Sequence, residues 1–384
     1  MGVSSSTARR TDTRGAQSVV RTSPATVLIP PSALSGERWL AENLLVPSRI
    51  RIPAAGAMLL VAASAPTQRG RLVREVAKRT SLPSHRLAGV LRELERAGLI
   101  DECGAVAQED RLAWLNRLRR TWKRVNWQDA AEYHAYTFDY PPLDYLADGW
   151  DRDTERMLAY VAEAPDDNRY KTYDNALKSV RLPEPSEHLF PTSLADAFDV
   201  LRPEPVTRDA LFAILTIAFA QTGEVKHGRW PRAPIVRRTS PSGGSRQPTE
   251  AYLLALAVPG VEPGWYHVAM HPPALELISD DVPPVAELNV LFPLSFRRVP
   301  LAVACIVILT SVFERNMYRY REPRTFRTVH MDAGHLAATV QLTAAARNIR
   351  THVCYPENDE AIERRLGVHG LQEGFMLAIA LGVP

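Results

Sequence analysis

At 384 residues, 46% hydrophobic and 23% charged, the chain has the composition of a globular protein of two or three domains and is not disordered overall. Its formal net charge is only +3, from 46 Lys and Arg against 43 Asp and Glu, which argues against the basic field of a nucleic-acid binder. Three cysteines (Cys103, Cys305 and Cys354) without CxxC spacing exclude a disulfide framework and fit a reducing cytoplasm with no metal site, and no apolar run reaches membrane-spanning length.

Residues 1–35 are rich in Ser, Thr and Arg, lack the apolar core of a signal peptide, and read as a mobile tail. Residues 36–105 predict a small helical domain. Ala54–Ala65 and Arg71–Arg79 are short helices, and Ser81-Leu82-Pro83-Ser84 is a turn with an N-cap. His85–Ala97 then carries Leu87, Val90, Leu91 and Leu94 at helical spacing. Gly98 closes that helix before Leu99-Ile100 extends. Helix, turn, helix and strand is the pattern of a winged-helix domain. Three readings of it stand open: capture of a peptide as an added strand, DNA binding through His85, Arg86 and Arg92, and packing alone. The near-neutral charge weighs against DNA.

Residues 106–190 read as a helical connecting region, with an amphipathic helix over Leu112–Val125 followed by the Trp127–Thr137 element. His134 in that element either faces an active site or is structural. Asp139–Pro142 and Asp148–Arg156 read as loops.

The densest chemistry lies in Arg237–Tyr252, where Ser240-Pro241-Ser242-Gly243-Gly244 and Arg246 run into a strand with the apolar continuation LLALAV. Gly243 and Gly244 carry no Cβ, which lets main-chain N–H groups and short hydroxyls approach a flat, polar-edged ligand. The same segment also fits a tight loop before a core strand. Pro300–Thr310 predicts a core strand, and Arg315–Arg324 reads as an Arg-rich strand or loop. From Ala333 the Ala- and Leu-rich segment predicts a closely packed helix. Asp332 is then either its N-cap or, three residues from His335, half of a titratable pair. Thr351–Tyr355 is extended, a helix starts near Asn358-Asp359, and Glu373–Gly382 is an apolar strand.

Taken in order, PSGGxRxPxExY, RxFRxxxxDAGHLAxTxxLxA, LGxxxxxE and a final ALGxP resemble the SagB-type branch of the nitroreductase-like flavoproteins, dehydrogenases of gene clusters that modify ribosomally made peptides. The resemblance covers roughly the C-terminal half. It implies an α+β nitroreductase-like fold over residues 191–384, a central, mostly antiparallel sheet flanked by helices, with FMN at the interface of an intertwined homodimer. The implied substrate is a precursor peptide, oxidised by two electrons as in azoline-to-azole conversion, with a cyclodehydratase or other peptide-modifying enzyme as partner. On the same basis Arg238, Ser240, Ser242, Gly243, Gly244 and Arg246 are expected at the cofactor, and Tyr320, Arg321, Asp332 and His335 at the chemistry. The alternative is a scaffold that has lost its cofactor and binds or delivers the peptide.

Two departures from the family pattern stand out. The Arg-rich RRSxR element has no counterpart, since Phe190–Phe198 holds no arginine and the sequence stops at Pro384, directly after ALGVP. A phosphate would need Arg181, Arg237 or Arg238 to substitute for the lost arginines. The Lys-Tyr pair that resembling proteins carry just before RxFR is also missing. With RxFR setting the register, Tyr320 takes the lysine's place and Arg321 the tyrosine's. A tyrosine, with an ordinary pKa of about 10, needs a nearby cation to act as a base near neutrality, and Arg319 and Arg321 flank this one.

Overall fold

The computed structural model describes residues 18–31, 37–45, 48–103, 109–138, 147–163, 170–189, 203–225, 235–297 and 299–384. The chain forms two compact units, Met1–Pro142 and Leu143–Pro384. Expectations that fell on residues 1–17, on Asp139–Pro142 and on Phe190–Phe198 lie outside the described residues.

In the first unit the strands are β1 (Val19–Thr22), β2 (Thr26–Ile29), β3 (Trp39–Asn43), β4 (Ser48–Ile52), β5 (Thr67–Gln68) and β6 (Ile100–Glu102). The helices are α1 (Ala54–Ala62), α2 (Arg69–Thr80), α3 (Ser84–Arg96), α4 (Glu109–Lys123) and α5 (Gln128–Phe138). The mobile tail expected to residue 35 is too long: Val19–Thr22 pairs antiparallel with both β5 and β6, and Thr26–Ile29 pairs with β3. Buried Val20 at the centre of that pairing supplies the apolar anchor that the Ser- and Thr-rich composition hid.

Leu72, Val73 and Val76 of α2 and Leu87, Leu91 and Leu94 of α3 point inward at helical spacing and share one core with Leu59 and Leu99. Ser81 in the left-handed region ends α2. Pro83, not Ser84, stands at the N-cap of α3, and no side chain caps that end. Gly98 (φ 68°) lets the chain leave α3 for β6. His134 packs in an aromatic cluster of α4 and α5, its ring stacked on Trp122 at 5.5 Å.

The second unit opens with α6 (Gly149–Glu163). The expected loop over Asp148–Arg156 is thus helical. Its acidic residues favour a helix N-terminus, Met157 is buried, and Asp153 is held by Arg319 at 3.1 Å. There follow β7 (Lys178–Arg181), α7 (Arg208–Phe219), the hairpin β8 (Gly223–Val225) and β9 (Ile235–Arg237), then β10 (Thr249–Ala255), β11 (Gly264–Met270) and β12 (Pro273–Ser279). The remaining elements are α8 (Val285–Leu291), α9 (Pro293–Arg297), β13 (Ala302–Val312), α10 (Phe313–Arg319), α11 (Phe326–Ala345), β14 (Arg350–Cys354), α12 (Asp359–Leu366) and β15 (Glu373–Val383).

Seven strands form one antiparallel sheet in the order β14-β15-β13-β10-β11-β12-β7. Because side chains alternate across a strand, Ala251, Leu253, Val307, Leu309, Leu377 and Ile379 face α7 and α11. Tyr252, Leu254, Ile306, Ile308, Ala378 and Ala380 face α8 and α12 on the other side. The fold is the expected α+β arrangement of an antiparallel sheet between helices. Its sheet starts earlier than residue 191, since β7 forms its edge.

Candidate active site

The segment between β9 and β10 is the most constrained backbone of the second unit. Gly244 (φ 59°), Ser245 (φ 53°) and Gln247 (φ 50°) are all left-handed, two of them without glycine's freedom. Such strain persists only where the surroundings over-determine the chain. Here Ser242 Oγ accepts from Gln247 N at 2.9 Å and donates to Asp332 Oδ2 at 2.7 Å, while Gly243 N donates to both Asp332 oxygens at 3.2 Å. Arg315 Nη1 donates to the Gln247 carbonyl at 2.9 Å.

The two glycines are explained by their neighbours inside the chain. A Cβ on Gly243 would overlap the Thr328 methyl, and one on Gly244 would overlap the Tyr320 hydroxyl and stand 2.9 Å from its Cζ. The space opened by the missing side chains is therefore filled by protein on that face. Ser240 Oγ lies 2.6 Å from Thr339 Oγ1.

Asp332 sits one and a half turns inside α11, which starts at Phe326, so it is not the helix N-cap. It is 3% exposed. Burial raises its pKa, against the opposing hydrogen bonds from Ser242 and Gly243. His335 is exposed; its charge lowers the Asp332 pKa against the effect of burial, and its carbonyl accepts from Ser240 Oγ at 3.4 Å.

The segment expected as an Arg-rich strand or loop is largely the helix α10. Arg315 is 2% exposed because Glu250 faces it at 2.5 Å. Arg246 Nε donates to the Arg315 carbonyl at 2.7 Å, with its guanidinium 5.1 Å from the Tyr318 ring, which stitches α10 to the turn. Tyr320, extended at the end of α10, has the Arg319 guanidinium 5.1 Å from its ring centroid. Arg321 turns elsewhere, to Glu163 at 2.7 Å and over the Tyr160 ring at 3.8 Å. Arg238 is buried, donating to Met270 Sδ and to the Thr249 carbonyl, and burial lowers its pKa to about 10. Arg181 is exposed and paired with Glu184, whereas Arg237 is exposed on β9.

Sequence reading brought Tyr320, Asp332, Ser240, Ser242, Gly243, Gly244, Arg238 and Arg246 to one place, and missed a row of charge across the sheet. His267 lies between Glu250 (2.9 Å) and Glu276 (2.8 Å), one on each ring nitrogen. Burial lowers the His267 pKa, but the two carboxylates outweigh it and the net shift is upward. Burial likewise pushes Glu250 up, while Arg315, His267 and Arg238 hold it far below the usual carboxylate range. A second cluster joins Lys171 Nζ to Glu373 and Tyr252 Oη at 2.6 Å each, with Thr310 donating to Glu373 at 2.7 Å. Cross-strand partners carry no fixed sequence spacing, so no motif announces them. Asn316 was also missed. It is 1% exposed, and neither its Oδ1 nor its Nδ2 has a hydrogen-bond partner among the described residues. Among those residues no group of three or more His, Cys, Asp or Glu could hold a metal ion, and no helix is long and apolar enough to cross a membrane.

The buried guanidinium groups of Arg238 and Arg246 beside the strained turn are hydrogen-bond donors of the kind that a planar, polar-edged ring would take. Residues 200–383 match the Nitroreductase family. The trifolitoxin-processing protein TfxB of Rhizobium leguminosarum bv. trifolii is 28% identical over 265 residues, covering 66% of this chain and 69% of that protein. A nitroreductase-like structure from Anabaena variabilis gives a TM-score of 0.43 at 23% identity, over 60% of this chain and 45% of that one, so the match spans under half of that relative. The E. coli microcin synthetase McbBCD complex with truncated pro-MccB17 bound gives a TM-score of 0.41 at 18% identity, over 59% of this chain and 82% of the matched chain.

Proposed function

On the premise that residues 200–383 form a domain of the nitroreductase family, we propose that the chain is an FMN-dependent oxidoreductase that dehydrogenates a ribosomally synthesised, modified peptide. Similarity to a trifolitoxin-processing protein supports the peptide as substrate class. The observation that supports the flavin is the match of residues 200–383 to the Nitroreductase family.

FMN, when bound, would supply a two-electron hydride acceptor, with dioxygen as terminal oxidant, for a substrate that gives up a hydride and a proton from adjacent atoms and gains a double bond between them. The chain's own contribution is position. Tyr320 holds its hydroxyl against Gly244, with the Arg319 guanidinium over its ring, and is the group placed to take the proton. Asp332 holds the turn instead, its oxygens occupied by Ser242 and Gly243. Arg321 is held by Glu163, and exposed His335 acts through its charge on Asp332. Arg237, exposed at the end of β9, is a cation that could meet a phosphate.

The first unit, by this reading, captures the precursor peptide as a strand added at an edge of the β5-β1-β6 sheet. The protein works as a homodimer in the cytoplasm with a cyclodehydratase or similar enzyme; its free thiols Cys103, Cys305 and Cys354 suit a reducing compartment. A cofactor-less peptide scaffold is the second reading. It is favoured by the engagement of Ser240, Ser242, Arg238 and Arg246 within the chain itself. The visible absorption spectrum of the purified protein separates the two. FMN released on denaturation at about one per chain supports the oxidoreductase; a protein that stays colourless through FMN titration overturns it and leaves the scaffold.

A further inference from the structure

We propose that the outer face of α2 and α3 is a docking surface for an acidic, extended segment of the precursor peptide, with Arg92 and Arg96 answering its carboxylates and Gly89 admitting its backbone. This rests on the peptide reading above and adds the chemistry of the segment. On α3 the core takes Leu87, Leu91 and Leu94. At about 3.6 residues per turn, His85, Gly89, Arg92 and Arg96 line up on the opposite side, as Arg74 and Lys78 do opposite Leu72, Val73 and Val76 of α2. Arg69 is held by Glu95 and Arg71 by Glu75. Among the described residues the exposed Arg74, Lys78, Arg79, Arg86, Arg92 and Arg96 have no ion-pair partner, and Glu93 is the one carboxylate of the two helices outside a pair. A chain of net charge +3 thus carries one strongly basic local face.

Gly89 is a second observation, independent of charge. A glycine inside a helix costs stability relative to alanine and is kept where the backbone or a close neighbour demands it. Gly89 has no positive φ, and a Cβ there would meet only the Arg92 guanidinium, 3.9 Å away. Nothing within the chain calls for the missing side chain. It leaves a hollow in the middle of the cationic stripe, where the main chain of a partner can come close. From His85 to Arg96 the stripe runs about 16 Å, the length of about five residues of extended peptide. Alternate side chains of a strand share a face, so carboxylates at every second position meet the stripe while the main chain crosses Gly89. A duplex is the poorer match, because Asp101 and Glu102 of β6, just beyond α3, oppose a continuing phosphate track.

The test is fluorescence anisotropy of labelled probes with the full-length protein at low salt: peptides of about ten residues alternating Glu with Thr or Gln with Thr, and a short DNA duplex. Wild type is expected to bind the Glu peptide about ten-fold or more tightly than the Gln peptide, with the gap closing as salt is added. Arg92→Gln with Arg96→Gln should abolish most of that preference. Arg208→Gln with Arg350→Gln, which removes the same charge from exposed positions of the second unit, should keep it. Gly89→Gln should weaken binding of the Glu peptide about ten-fold or more while the melting temperature holds or rises, because a better helix former fills the hollow. Equal binding of the two peptides by wild type overturns the inference and leaves the peptide reading, which stands on the relatives, intact. Equal losses from the two double variants reduce the effect to net charge and overturn it as well. A Gly89→Gln protein that binds like wild type, or that loses binding together with a lower melting temperature, overturns the docking surface. Tighter binding of the duplex than of the Glu peptide overturns it in favour of a nucleic-acid partner.

Discussion

Gly244→Ala perturbs the turn at its most constrained residue. Two costs arise. Holding an L-residue at φ 59° costs about 1–2 kcal/mol, and the new Cβ overlaps the Tyr320 hydroxyl, an overpacking cost of about 1–3 kcal/mol. Together they predict a loss of about 2–5 kcal/mol, equivalent to a fall of roughly 4–20 °C in the melting temperature of a unit this size. The two costs separate by a double-mutant cycle. Tyr320→Ala in the Gly244→Ala background removes the overlap and leaves the backbone cost, so the pair couples by about 1–3 kcal/mol. Urea unfolding of the four proteins, read at the midpoint with the slope checked for constancy, gives the cycle. Tyr320→Phe, which removes the hydroxyl and keeps the ring, recovers only part. Strict additivity of Gly244→Ala and Tyr320→Ala would refute the argument that this tyrosine is what requires the glycine.

The buried charges predict pH behaviour. His267 has its pKa raised above 6.5, so its stabilisation is complete below that value and is lost as pH rises through the folded value. Glu250 has a lowered pKa, so its contribution is complete above 4.5 and falls away in acid. Urea midpoints should therefore peak between these limits, and His267→Gln should remove the decline on the alkaline side; an unchanged profile would contradict the pairing. Asp332→Ala strands the Ser242 hydroxyl and the Gly243 N–H and should cost about 1–3 kcal/mol, whereas Asp332→Asn, which mimics the protonated carboxyl that burial favours, should cost much less in the same assay. Lys171→Met leaves the buried Glu373 carboxylate with Tyr252 and Thr310 but no cation and should cost about 1–3 kcal/mol, discounted because Lys171 is partly exposed. Combining it with Glu373→Gln should recover much of that loss.

The parts of this fold that were legible in the sequence are those governed by local rules. Leu87, Leu91 and Leu94 declare a helix by spacing, Gly98 declares its end, and the long apolar runs before Thr310 and at the C-terminus became β13 and β15. The errors share a cause, which is tertiary compensation of locally unfavourable residues. Asp148–Arg156 reads as an acidic loop until Arg319 neutralises Asp153, and Arg315–Arg319 reads as solvated until Glu250 and Asp153 supply buried partners. Val19–Thr22 reads as tail because four residues give no period, yet two neighbouring strands hold it. The turn was located correctly for an incomplete reason: its glycines answer to Tyr320 and Thr328 within the chain.

The same accounting bears on what the second unit was selected for. Glu276, His267, Glu250 and Arg315 run through the sheet and into α10, where apolar residues of similar volume would be as stable or more so. Charge rows of this kind fix relative position, because each member has only one arrangement that satisfies it. Arg315 is the link that turns this into function: one guanidinium is bound to Glu250 of β10 and to the Gln247 carbonyl, while its own carbonyl receives Arg246. Strand, turn and helix are thereby locked in register around Gly244, Tyr320 and Asn316. Such locking fixes the Tyr320 hydroxyl against a left-handed glycine, the fixed geometry that the proposed oxidoreductase would need and that a peptide scaffold would not.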